Sequence, residues 1–385
     1  MLKINYPTNP AELAALHINY KKSFDVIAIQ KELTKFFNLK EMKTISKPPK
    51  AESLLIMNFE SLLKESIRLN KLIKKPVHIK RLKSILNYDL SESSFIAKQQ
   101  PNIAQFFAQN QDNINFATCY YCNIDYITAF KDFGDYKNGL DFVKRARKDE
   151  LICIKGIGPA KAELIIQIHN RKHLKKIDDL PSGITQNDKD NLNKLIVNDY
   201  SSHFTLDHVL SKSDHPIAAL SLYNFVPSCY SCNSKFKGSK KLIEKVSKSF
   251  LSPTSLNNLF TKEFKFKLFF EDKKNSKKLD INAVNEFYID FDMTVNRADY
   301  ELFLNIFKVH SRYVFHKREI SNLIRKKIKY DDSHINKIAK LIKSSPEQVK
   351  EDIFGKELFD IHPEKYPLSK LKRDIAKEIG IKGVK

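Results

Sequence analysis

Cys119 and Cys122 in CYYCN, and Cys229 and Cys232 in CYSCN, are four of the five cysteines in this chain. Each CxxC can set two thiolates on one knuckle, and two knuckles supply the four sulfurs that tetrahedral zinc prefers. Their long separation is no obstacle, because closing a long loop costs only slowly more than closing a short one. The pairs therefore predict one structural Zn2+ site that staples the chain. Neither pair has the strand-then-helix setting that lowers a thiol pKa in a redox CxxC. Cys153 is left over and is expected to be a small buried hydrophobe. This cysteine usage suits a reducing, cytoplasmic setting.

Beside the second pair the chain reads HFTLDHVLSKSDHPIAALSLYNFVPSCYSCNSKFKGSK, bringing together Asp207, His208, Asn224, Asn233, Lys235 and Lys237. A DH pair at a strand end, an Asn about sixteen residues on and ahead of a CxxC, and a last Asn opening a helix resemble the HNH endonucleases of the ββα-metal, or His-Me finger, class. Position 233 is Asn where the name leads one to expect His, the HNN form. The resemblance implies that His208 is the general base and that Asn224 tethers the hairpin loop and orients it. Asp207 and Asn233 would then offer oxygens to a cation. The chemistry asks for those types: a near-neutral imidazole can deprotonate water, and hard oxygen ligands select Mg2+ or Mn2+ to stabilise the charge that builds on the phosphate. Lys235 or Lys237, near the first helical turn, would reach the phosphate. His203 and His215 are expected to be surface or hydrogen-bonded loop residues.

Between the cysteine pairs, LICIKGIGPAKAELIIQI resembles a helix-hairpin-helix motif. Gly156 and Gly158 let the backbone approach a phosphate, Pro159 opens the next helix, and Ala162 packs against the first. Lys155 and Lys161 flank the turn and would add charge to a grip on the backbone that does not read sequence. The stretch after it, with SGIT in place of a second glycine pair, resembles a degenerate second hairpin.

The elements around these residues read as mostly helical. NPAELAALHINYKK opens with Asn9 as N-cap, Pro10 in the first turn and Glu12 in capping-box position. ESLLIMNFESLLKESIRLNKLIKK carries a helical apolar stripe. Toward the other end, KEFKFKLFFED and EFYIDFDM alternate like two strands before further helices. The predicted fold is mainly α with a small α+β core. Its divisions are a helical region over 1–105, the zinc-knuckled HNH domain over 106–245 with a hairpin insert at 139–198, and a mostly helical domain over 246–385.

With 67 Lys+Arg against 45 Asp+Glu the 385-residue chain carries a formal charge of +22, while 42% hydrophobic residues suffice for real cores. Such a surplus favours a polyanionic partner. The amino-terminal residues lack the build of a signal peptide, and no apolar run approaches the roughly 20 residues of a membrane span. The expectation is a metal-dependent endonuclease acting on DNA, with chemistry that would also serve on RNA. The phrase LSLYNFVPSCYSCNSKFKG and the terminal YPLSKLKRDIAKEIGI also resemble HNH effectors of bacterial anti-phage systems of Septu and retron type, which implies a partner ATPase. The competing readings are a zinc ribbon that binds nucleic acid without cutting it, and a stand-alone restriction or mobile-element nuclease.

Overall fold

Asn9 caps the helix Pro10–Lys21, its side-chain oxygen accepting from the amides of Ala11 and Glu12, and Pro10 sits where a missing N–H costs nothing. This geometry comes from a computed structural model describing residues 2–86, 100–131, 133–195, 200–270, 287–293 and 295–385. The described chain is mainly helical with small antiparallel sheets. The stretch with the helical apolar stripe after residue 50 forms two helices, Ala51–Ile56 and Phe59–Leu72, because the Asn58 side chain accepts from the Ser61 amide and starts a new helix. No helix among the described residues is long and apolar enough to cross a membrane.

The strands are β1 (Ala129–Lys131), β2 (Tyr200–Ser202), β3 (Thr205–His208), β4 (Phe225–Ser228), β5 (Phe264–Phe270) and β6 (Phe287–Met293). They pair antiparallel as β1 with β2, β3 with β4 and β5 with β6. In β5 the apolar Phe264, Phe266 and Leu268 are buried while Lys265 faces solvent, the alternation of a half-buried strand. Its outer edge is covered by the helix Ser369–Glu378, where Asp374 and Glu378 accept from the amides of Phe266 and Leu268 at 3.0 Å each. Carboxylates thus satisfy an edge that would otherwise recruit another strand.

The chain forms two compact units, one of Met1–Thr128 with His203–Lys385, the other of Ala129–Ser202. Outside the insert, the regions 1–105, 106–245 and 246–385 fall together in the first of these units. The reason lies in what the terminal regions bury. The Leu2 amide donates to the Tyr120 carbonyl at 2.9 Å, Ile4 to Pro253 at 2.8 Å, and the Tyr20 hydroxyl to the Leu220 carbonyl at 2.7 Å. The last helices dock on the first cysteine knuckle, as described below, so both ends pack against the middle of the chain.

The second unit is wider than the expected 139–198, because the β1–β2 ladder lies within it. Its core gathers Phe142, Val143, Leu151, Ile157, Ala162, Ile165 and Leu192. The short helices Lys148–Ile152 and Pro159–Ile166 form a hairpin around the turn at Gly156, and Ala162 is fully buried as expected.

Candidate active site

The four cysteines of the two CxxC pairs are buried, and their Sγ atoms all lie within 4.8 Å of one another. A tetrahedron with metal–sulfur bonds of about 2.3 Å needs sulfurs about 3.8 Å apart, so the cluster could hold a structural metal ion such as zinc. The first knuckle has the hydrogen bonds such a site uses. The Ile124 amide donates to Cys122 Sγ at 3.4 Å, and the Asn123 amide closes the turn on the Cys119 carbonyl at 2.7 Å. Four thiolates around one divalent ion leave excess negative charge, and Arg312 answers it, donating to Cys232 Sγ at 3.2 Å and Cys122 Sγ at 3.4 Å. Burial alone would lower the Arg312 pKa, but the sulfurs of Cys122 and Cys232 hold it above the usual value. Without a cation, hydrogen bonding from Cys119 and Cys122 pushes the Cys229 thiol up, the opposite of what a metal imposes.

β3 ends at His208 and pairs with β4 so that His208 faces Phe225 and Asp207 faces Val226. The loop joining them is held by Asn224, fully buried at the start of β4. Its side-chain oxygen accepts from the Leu210 amide at 2.7 Å, and its amide nitrogen donates to the carbonyls of Leu210 at 3.0 Å and Ala218 at 2.9 Å. The next carbonyl along, that of Ala219, lies 2.9 Å from His208 Nε2. A carbonyl can only accept, so Nε2 carries the proton and Nδ1 is the basic nitrogen of the neutral ring.

β4 runs through the second CxxC into a helical turn, Ser231–Lys237, wound with the wide i→i+5 bonding of a π-helix, as in the Gly238 amide donating to the Asn233 carbonyl at 2.8 Å. Such turns are rare and frequent at functional sites. Asn233 and His208 both line a cleft of about 350 Å3, with Lys212, His215, Lys240 and Lys241 among its other walls. His215 is fixed by Ser66, whose hydroxyl lies 2.8 Å from Nδ1, and burial holds its pKa below the usual value. His203 is exposed, its amide bonded to the Thr128 carbonyl at 2.8 Å.

Two expected roles change. Lys237 does not reach outward: it is buried, with its ammonium 2.8 Å from Asp207 Oδ1 and 2.8 Å from the His208 carbonyl. Asp207 in turn is buried, and its second oxygen accepts from the Tyr121 hydroxyl at 2.5 Å. Burial pushes the Asp207 carboxyl up, against the pull of Lys237. With a lysine already neutralising it and both oxygens engaged, Asp207 does not fit the part of a ligand to Mg2+ or Mn2+ as it stands. Lys235, by contrast, is exposed.

In the second unit only part of the expected grip is presented. Lys155 and Gly158 are exposed at the turn. Lys161 is held inward, with Nζ 2.6 Å from Asp188 and 3.0 Å from the Gly156 carbonyl. It closes the hairpin instead of reaching for a phosphate. Gly156 is required by its φ of +94°, and a Cβ there would lie 2.4 Å from Asp188 Oδ1, whereas a Cβ on Gly158 would meet nothing within 4 Å. Cys153 is exposed, not buried, because it follows the last turn of Lys148–Ile152 on the outside of the hairpin.

Tyr121, Asn123 and Arg312 are the residues that sequence reasoning missed. Asn123 carried a signal, since it closes the repeated pentad; Arg312 lies far along the chain from the sulfurs it serves and carried none. No family model, curated protein or solved structure matches this chain.

Proposed function

We propose that this chain is an endonuclease of HNH type, in the HNN form, that hydrolyses phosphodiester bonds in DNA. The observation that carries the reading is the His208 ring. It is fixed through Nε2 to Ala219 by a loop that Asn224 ties down, and it stands on the wall of a lysine-lined cleft beside the four-cysteine cluster. An inert zinc ribbon has no need to fix the tautomer of a cleft histidine with a buried asparagine.

In this reading β3, β4 and the Ser231–Lys237 turn are the ββα finger, and a Zn2+ in the cysteine cluster keeps its second strand and helical turn in register with Tyr120–Tyr121. His208 Nδ1 takes a proton from water, which attacks phosphorus as the 3′ oxygen leaves. Lys212 and Lys240 supply positive charge around the phosphate, and Asn233 offers a side-chain amide from the same wall. Lys155 and the amides after Gly156 hold duplex backbone without reading sequence. A net charge of +22 suits that substrate. Mg2+ or Mn2+ would supply charge stabilisation at the scissile phosphate. The likeness of the second knuckle and the terminal YPLSKLKRDIAKEIGI to anti-phage HNH effectors adds a partner ATPase, to be sought by co-purification.

The test is supercoiled plasmid incubated with Mg2+ or Mn2+, and with EDTA. The expected result is metal-dependent nicking or linearisation that His208→Ala abolishes, with zinc content and melting temperature unchanged. Undiminished cleavage by the purified variant would reject the assignment. Plasmid binding without cleavage by the wild type would favour the non-catalytic zinc ribbon instead.

A further inference from the structure

Lys237 takes up the place that a divalent cation would need. Its side chain is 6% exposed and that of Asp207 4%. The ammonium stands between the Asp207 carboxylate and the His208 carbonyl, at 2.8 Å from each. Tyr121, from the first cysteine knuckle, fixes the other carboxylate oxygen. The lysine sits one turn after Asn233 on the same π-turn, so both approach the same cleft. The other carboxylate whose partner is defined on this wall, Asp214, is paired with Lys241 at 3.0 Å. A hard divalent ion binds where anionic oxygens outnumber cations, and here the one buried carboxylate of the cleft is already matched.

We propose that Lys237 is a resident counter-ion that latches the site: it holds Asp207 until a divalent cation displaces it, so that cation binding and the Asp207–Lys237 pair exclude one another. The inference rests on the cleft being the nuclease site. The exchange is physically open. A lysine stem has four rotatable bonds and the cleft beside it has room for an ammonium. The chain continues through Gly238 at φ +48°, outside the helical conformation, so the swing leaves the helical turn intact. The energetics also favour a competitor over a spectator. Removing one partner of a buried ion pair leaves an uncompensated charge, and a divalent ion entering the vacated place would neutralise it.

The experiment is titration with Mn2+, reading free hexaaqua Mn2+ by electron paramagnetic resonance, on the full chain with its cysteine cluster zinc-loaded. Lys237→Met is expected to bind one Mn2+ at least ten-fold more tightly than the wild type, and adding Asp207→Asn to remove the gain. Lys237→Gln, which keeps a hydrogen bond to Asp207 without the charge, is expected to fall between and covers the case in which the methionine variant fails to fold. Equal or weaker binding by both variants would overturn the latch. The two readings fail separately. Metal-dependent plasmid cleavage by the wild type with unchanged Mn2+ affinity in the variants would discard the latch and keep the nuclease. A ten-fold gain in affinity with no cleavage by any chain would discard the nuclease and the latch's part in it, leaving only competition between Lys237 and a cation at Asp207.

Discussion

Asn123 and Asn233 close the same five-residue phrase, and their amides close the same turn, onto the Cys119 carbonyl at 2.7 Å and the Cys229 carbonyl at 3.1 Å. Beyond that turn they part. Asn123 enters the left-handed region at φ +54°, which Asn tolerates better than most residues, and its side chain is wholly buried. Its oxygen accepts from the Ser369 hydroxyl at 3.1 Å and the Lys370 amide at 3.0 Å, and its nitrogen donates to Thr118 and to the Tyr366 carbonyl at 3.0 Å each. Asn233 continues into a helical turn and keeps its side chain partly exposed at the cleft. One copy of the phrase anchors the terminal helix and the other furnishes the candidate site. Asn123→Ala should therefore cost about 3 kcal/mol of stability by orphaning buried partners, seen as a lower denaturant midpoint, while the cleavage proposed for His208, per folded molecule, should stay the same.

The hairpin around Gly156 shows what an element's internal bonds allow. Lys161 reaches Asp188, which also accepts from the Thr185 amide at 3.0 Å as part of the cap of the helix Gln186–Asn193. That pairing, with hydrogen bonds from Lys161 and Thr185, holds Asp188 below the ordinary carboxylate range. Charge reversal at Lys161 would break the fold of the insert before it reported on DNA. Lys155→Glu is the clean probe: DNA affinity should fall and the slope of log affinity against log salt should drop by about one, measured by anisotropy over a salt series. Gly156→Ala should cost about 2 kcal/mol or more through positive φ and the clash with Asp188, read as faster amide exchange confined to 129–202. These distinctions mark what the sequence could convey. Local spacing foretold the cysteine pairs, the two alternating strands β5 and β6, and the glycine turn. It could not say that Lys161 and Lys237, alike in composition to Lys155 and Lys235, would be turned inward, because their partners Asp188 and Asp207 are 27 and 30 residues away. The expectation that the leftover Cys153 is buried came from residue type alone, and residue type does not say which side of a short hairpin a position faces.

On the scale of the molecule, the cysteine cluster joins chain ends as well as knuckles. Tyr313 donates to the Cys122 carbonyl at 2.5 Å and Arg312 to the sulfurs, while Asn123 receives the terminal helix. Zinc removal by a chelator should accordingly raise amide exchange in Ser369–Glu378 as well as at the knuckles and lower the melting temperature, with one Zn2+ released per chain. A folded, equally stable metal-free protein would refute that role. Acid should act in the same direction. Burial keeps His17, His215 and His316 below the usual histidine value, so the unfolded chain binds more protons through the window from about pH 6.5 down to their folded values, and stability falls as pH falls. Thermal melts between pH 7 and 5 should show the decline, and His215→Asn should flatten it. The sequence told helix from strand in the terminal regions but not that they share a body with the knuckles, since docking depends on side chains hundreds of positions apart.

The short β1–β2 ladder has a consequence for how this gene can be rearranged. Thr128 and His203, the residues flanking it, are themselves hydrogen-bonded at 2.8 Å, so the polypeptide leaves the larger body and returns to it at nearly one point. A module plumbed through adjacent ends can be cut out or exchanged by splicing a glycine bridge across residues 129–202. Such a chimera should still acquire its zinc and its cleft, and in the proposed nuclease it would trade the backbone grip of Lys155 for whatever is grafted there.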